Sequence, residues 1–190
     1  MLTTVAIMFV ILLIALVVGG FLILFYNGLV RGKNRVEEAW SGISVQIKRR
    51  HDLIPALVRT VKGYATHENE TLTRVTEARS QAMSAPPDSL ASVIQAENGL
   101  SRALRSLFAV AENYPALMAS ENFLQLQAQL SQLEDEIQMA RRYYNGTARE
   151  QNNRVLQFPG NLIAGTFGFS KIAYFELDDE SEAEMPEVQF

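Results

Sequence analysis

From Val5 to Tyr26 the chain runs 22 residues without a charged side chain, and only Gly19 and Gly20 interrupt its apolar character. As a helix rising about 1.5 Å per residue this stretch measures about 33 Å, against a hydrocarbon core of about 30 Å. A segment of that length and composition is stable in lipid, so everything that follows must fold from one end of a membrane span. The competing reading, a cleaved secretory signal, needs a basic leader, a shorter apolar stretch and a small-x-small cleavage site, and none is evident. Arg31, Lys33, Arg35, Lys48, Arg49 and Arg50 all follow the run, whereas residues 1 to 30 carry no charge. Because basic flanks resist translocation, the expected orientation has the N-terminus outside and the body in the cytoplasm. Ala15-x-x-x-Gly19 is either a close-approach surface for a second such helix or an ordinary small-residue spacing.

Once the span is subtracted, the 190-residue chain leaves about 150 residues, one domain's worth of core. Cysteine is absent, which excludes disulfides, thiolate metal sites and thiol nucleophiles. Glu176 to Phe190 holds seven acidic residues and no basic one, leaving 17 basic against 14 acidic in the rest. A nearly neutral body with an acidic tail is unsuited to nucleic acid.

Beyond the span, apolar positions advance by three and four through Val36, Trp40, Ile43 and Ile47, break at Arg50, and resume at Ile54, Leu57, Val61 and Tyr64. This is one helical seam with a charged belt, Lys48-Arg49-Arg50, set into it. Arg50 falls on the seam itself and needs a carboxylate from another helix, with Glu97, Glu112 and Glu134 as candidates. Pro55 removes one backbone donor and crowds the carbonyl four residues earlier, so a bend is expected between His51 and Pro55. Asn27-Gly28 and Gly32 read either as a hinge or as part of one continuous rod.

Three further helices follow. The chain turns near Gly63 to His67, with Thr66 a candidate cap, and a second helix carries Leu72, Val75, Ala78 and Ala82 as far as Ala85. Pro86-Pro87 ends it, and Asp88 or Ser89 caps a third helix from Leu90 to Tyr114, closed by Pro115. The fourth holds its period from Ser120 to Leu156 and stops at Phe158-Pro159-Gly160. Short connections favour antiparallel neighbours. The expected fold is all-α, an N-terminal transmembrane helix followed by an antiparallel four-helix bundle; the alternative is a rod of the first two helices folded on the others. The expected boundaries are a tail over 1–4, the span over 5–26, the bundle over 27–175, and a disordered acidic tail over 176–190. Within the bundle, 162–175 is an aromatic segment too rich in glycine for a confident helix. It is expected to pack on the bundle or a neighbouring subunit in preference to the membrane interface, because Lys171 alone is little basic charge.

No phosphate loop, zinc-protease helix or nucleophile elbow occurs, so no catalytic, cofactor-binding or metal-ligating residue is assigned. His51-Asp52 and His67-Glu68 have ligand chemistry, but adjacent residues on a helix diverge by about 100° and chelate poorly. Lys48-Arg49-Arg50 suits lipid phosphate or internal pairing, and internal pairing is preferred. Arg141-Arg142-Tyr143-Tyr144 mixes charge with aromatics, yet helical spacing divides it into a wet and a buried face. The residues with structural or interaction roles are therefore Trp40, Lys48, Arg49, Arg50, Asp52, Pro55, Arg141, Arg142, Phe167 and Phe169.

Asn34-x-Val36-x-x-Ala39-Trp40, Val45-Gln46-Ile47-Lys48-Arg49-Arg50-x-Asp52-Leu53-Ile54-Pro55, Thr60-Val61-Lys62-Gly63-Tyr64-Ala65-x-His67-Glu68, Val110-Ala111-Glu112-x-Tyr114-Pro115, Ala140-Arg141-Arg142-x-Tyr144-Asn145 and Phe158-Pro159-x-Asn161-Leu162 stand in fixed order. In these motifs the chain resembles the bacterial LemA family, and the resemblance covers nearly everything from Tyr26 to Glu176. Gly32, His51 and Ala56 depart mildly from the family pattern. The resemblance implies a single-pass protein of the bacterial plasma (inner) membrane with a helical bundle and no enzymatic activity. It also implies a scaffold in membrane organisation or, alternatively, an adaptor for a membrane protease or another envelope protein; the heptad-like seam of the first helix and the apolar surface of 162–175 add the expectation that the scaffold self-assembles. The expected partners are thus the membrane, further copies of the chain and an envelope protein.

Overall fold

The computed structural model describes residues 2–65, 67–87 and 89–176. These are helical throughout apart from turns and one extended stretch, with no strand among the described residues. The helices are α1 (Leu2–Lys62), α2 (Asn69–Ser84), α3 (Leu90–Ala111), α4 (Pro115–Met118), α5 (Glu121–Leu156) and α6 (Gly160–Thr166). Thr66, Asp88 and residues 177–190 lie outside the described residues, and with them the expected cap at Thr66, the alternative cap at Asp88 and the acidic tail. The chain divides into two compact units. Among the described residues, one falls within 1–41 and 142–174, the other within 42–141 and 175–176.

The 42–141 unit is an antiparallel four-helix bundle built from the second part of α1, α2, α3 and the first part of α5. Ile54, Leu57 and Val61 of α1, Leu72 and Val75 of α2, Leu100 and Leu107 of α3, and Phe123 and Leu130 of α5 make one buried core. The seam positions are those that the spacing predicts, except at its end. α1 stops at Lys62, so Tyr64 turns outward and Ala65 takes the buried place. Ser89 caps α3, its hydroxyl accepting from the Ser92 N–H at 3.3 Å. α3 ends three residues short of Tyr114. Pro115 does not close it but opens α4, where its missing N–H costs nothing at the first helical position.

The 1–41 and 142–174 unit pairs the first part of α1 with the last part of α5, also antiparallel. Trp40 meets Tyr144 edge-on at 6.0 Å between ring centroids, and Gln151 Nε2 donates to the Leu29 carbonyl at 3.1 Å. α1 is helical through Asn27, Gly28 and Gly32, as the continuous reading has it, and Gly32 is there for contact. A Cβ at Gly32 would stand 1.9 Å from Oε1 of the buried Gln151. α6 corrects the expectation for the aromatic segment, because residues 160–166 are helical despite Gly165. Ile163 and Ala164 bury against Leu29 and Val155, a gain that outweighs the weak helix propensity of glycine. After α6 the chain is extended, and Asn152 clamps it twice. Its side-chain amide donates to the Ile172 carbonyl at 2.9 Å and its oxygen accepts from the Ile172 N–H at 2.8 Å.

At Gly160 an added Cβ would meet backbone and not the end of a flexible side chain, the Arg154 carbonyl oxygen at 2.1 Å, and beside it the Phe25 ring at 2.6 Å. Backbone cannot yield there, so Gly160→Ala is expected to destabilise by about 1–3 kcal/mol. Gly146→Ala, inside α5 with nothing within 4 Å of the new methyl, is expected to stabilise by about 0.5–1 kcal/mol. Thermal unfolding of both variants in the same detergent checks the pair; equal shifts would contradict it.

Candidate functional site

Of the charged belt of α1, Arg50 alone lies in the interior of the bundle. Arg50 is 2% exposed and Glu97, on α3, 1% exposed. Arg50 Nη2 donates to Glu97 Oε2, and Nη1 donates to Glu134 Oε2 on α5 at 2.7 Å and to Ser101 Oγ at 3.3 Å. One guanidinium thus ties three helices, which its fork of donors permits and an ammonium does not. Glu97 and Glu134 are the partners, whereas Glu112, the third candidate, is exposed at the end of α3. The other oxygen of Glu97 lies 2.9 Å from His51 Nε2. Burial alone pushes the Glu97 carboxyl up. The His51 hydrogen bond and the Arg50 charge more than offset that and hold it below the ordinary carboxylate value.

Pro55 supplies the second feature of the belt. Without an N–H at 55, the His51 carbonyl has no partner four residues on, and α1 nonetheless continues to Lys62. Arg79 of α2 fills the gap, its Nε donating to the His51 oxygen at 2.7 Å. Residues 50 and 51 therefore bind all three neighbouring helices: Arg50 side chain to α3 and α5, His51 side chain to α3, His51 backbone to α2.

The other expected residues are more dispersed. Lys48, Arg49 and Asp52 are exposed; Arg49 Nη1 donates to Gln46 Oε1 at 3.3 Å and forms a long ion pair with Glu136 at 3.7 Å. An exposed pair of this kind contributes at most about 1 kcal/mol. Arg49 and Asp52 share a shallow cleft with Leu53, Gln129, Leu133 and Glu136. A deeper one, with a cavity of about 320 Å³, is lined by Arg50, Ser101, Phe108, Gln127 and Glu134. Arg141 is buried, its guanidinium 5.7 Å from the ring centre of Phe175 and its Nη1 donating to Gln138, while Arg142 faces solvent. In the other unit Phe167 and Phe169 flank Tyr26 at 4.8 and 5.9 Å.

His51 is engaged by Glu97, and Glu68 accepts from the Tyr114 hydroxyl at 3.0 Å. No group of three His, Asp or Glu side chains suited to a metal occurs among the described residues. Sequence reasoning missed His51 as a partner of Glu97 and Arg79 as the cap of its carbonyl. The signal for the latter was present, since a proline inside a buried helix always leaves a carbonyl to be satisfied.

The 2–24 stretch of α1 is exposed along nearly its whole length, and α1 is the one helix among the described residues long and apolar enough to cross a membrane. Fold and anchor together define an all-helical, single-pass membrane protein. The chain belongs to the LemA family, whose model matches residues 39–190. It is 30% identical over 174 residues to Protein LemA of Metamycoplasma hominis, covering 90% of this chain and 79% of that one. It is 25% identical to Magnetosome protein MamQ 2 of Paramagnetospirillum magneticum, over 82% of this chain and 66% of that one. Magnetosome protein MamQ of Magnetospirillum gryphiswaldense is 24% identical, over 81% and 65%. The chain thus spans about two thirds of the length of the magnetosome proteins, and none of these names is that of an enzyme.

If Arg79 replaces the hydrogen bond that Pro55 removes, the two positions are coupled. Arg79→Ala is expected to cost about 1.5–3 kcal/mol, the worth of a hydrogen bond to a charged group. In a Pro55→Ala background, where the restored N–H serves the His51 carbonyl, most of that cost disappears. A denaturant double-mutant cycle reads the difference, and strict additivity would contradict it.

Proposed function

We propose that this protein is a non-enzymatic, membrane-anchored scaffold that assembles with further copies of itself and organises a bacterial membrane. It sits in the plasma membrane with the N-terminus outside and the body in the cytoplasm, the orientation that the basic flank after the span favours. The observation that carries the reading is how the polar chemistry of the bundle is used. Arg50, His51, Glu97 and Arg79 engage one another or backbone, which holds helices together and presents no poised reacting group. Relatives named as magnetosome proteins support a role at a membrane. A second reading, an adaptor for a membrane protease or another envelope protein, draws on the acidic stretch from Glu176 to Phe190, whose charge suits a basic partner.

Size exclusion with light scattering on the full chain in mild detergent tests the scaffold. More than one chain per particle at micromolar concentration is expected, and a strict monomer contradicts self-assembly. Deleting residues 177–190 leaves that result unchanged under the scaffold reading and abolishes partner capture under the adaptor reading.

A further inference from the structure

We propose that the end of α5, the turn after it and α6 form an apolar collar that rests in the bilayer surface beside the membrane span, in the leaflet at the span's C-terminal end. The register of the two antiparallel helices places it there. Arg154 Nη1 donates to the Gly28 carbonyl at 3.0 Å, and Gly160 lies against the Phe25 ring, so α5 ends at the level where the 22-residue apolar run ends. One more straight turn would carry α5 alongside the hydrocarbon-level part of α1. The chain instead leaves α5 at Leu156 and enters α6 after Pro159, with Ile163 and Ala164 buried on Leu29 and Val155.

From Leu156 to Phe167, the end of α5, the turn and α6 leave large apolar side chains outward, alongside the polar Gln157, Asn161 and Thr166. Phe158 is 80% exposed, Leu162 64%, Leu156 59% and Phe167 56%, and Phe167 touches Tyr26, itself the last residue of the run. This surface is continuous with the exposed apolar surface of α1, so one solvent, lipid, covers both without leaving a wet apolar gap. Aromatic rings clustered at a span's end are what the headgroup region accommodates. Arg154 and Lys171, both exposed and in this unit, and Arg31 on α1 supply the cationic charge for lipid phosphate that Lys171 alone did not. The occupant is the lipid surface, chosen over a second copy because the patch adjoins the span and not a separate face.

The proposal rests on the span reading, and the test separates the two. The chain has no cysteine, so single spin labels can be placed in the full-length protein in anionic liposomes. Labels at Phe158→Cys and Leu162→Cys are compared with Ile11→Cys for lipid and Glu37→Cys for water. High collision with oxygen and low collision with a water-soluble nickel chelate, shifted toward Ile11, is expected at both. Values like those of Glu37 overturn the collar while Ile11 still reports the span. Shielding from both reagents with spin-spin broadening overturns it in favour of a second copy. If Ile11 itself reads as water, the span fails and the collar with it.

Discussion

A buried guanidinium needs its charge answered, and in this protein the answer determines which helices meet. Arg50 stands at a seam position where every heptad-like neighbour is apolar. Taking it out of water costs several kcal/mol, which only close, hydrogen-bonded carboxylates offset. Glu97 and Glu134 do so from α3 and α5, so the packing of three helices is set by one side chain. The two carboxylates are not equivalent. Glu97 is fully enclosed, while the Glu134 side chain is 42% exposed and its pairing is weakened by water. Such a network does not make the bundle more stable than an apolar core would. It makes wrong registers expensive, because any slip leaves a charge buried alone.

Beside it, Pro55 forces a second specific contact. A helix interrupted by proline lacks one hydrogen bond, and Arg79 of α2 is placed where that bond is missing. Charge and backbone defect together give α1 a single arrangement among its neighbours. The 1–41 and 142–174 unit achieves the same by tight contact, through Gly32 under Gln151 and Gly160 against Phe25.

Much of this could be read from the sequence, because helical period and burial are linked. The α1 seam from Val36 to Val61 and the extent of α5 from Glu121 to Leu156 follow directly from apolar spacing. The need for a carboxylate opposite Arg50 was equally legible, and its identity was narrowed to three glutamates. Other features were not. Tyr64 and Ala65 exchange roles because α1 ends at Lys62, a boundary that periodicity does not mark. α6 was obscured by Gly165 and Gly168, since local propensity argues against a helix that only tertiary burial of Ile163 and Ala164 sustains. The pairing of Arg79 with His51 joins residues 28 apart on different helices, and no local pattern specifies it.

The central claim is that the Arg50 and Glu97 pair organises the bundle, and a double-mutant cycle of Arg50→Met and Glu97→Met on the full chain in detergent measures it most directly. Each single variant leaves the other charge buried with only part of its partners, Glu97 with His51 or Arg50 with Glu134, and is predicted to lose about 3–5 kcal/mol of unfolding free energy. The double variant, with neither charge left, is predicted to lose much less than their sum. Additive losses, or single losses below about 1 kcal/mol as surface pairs give, would contradict the account.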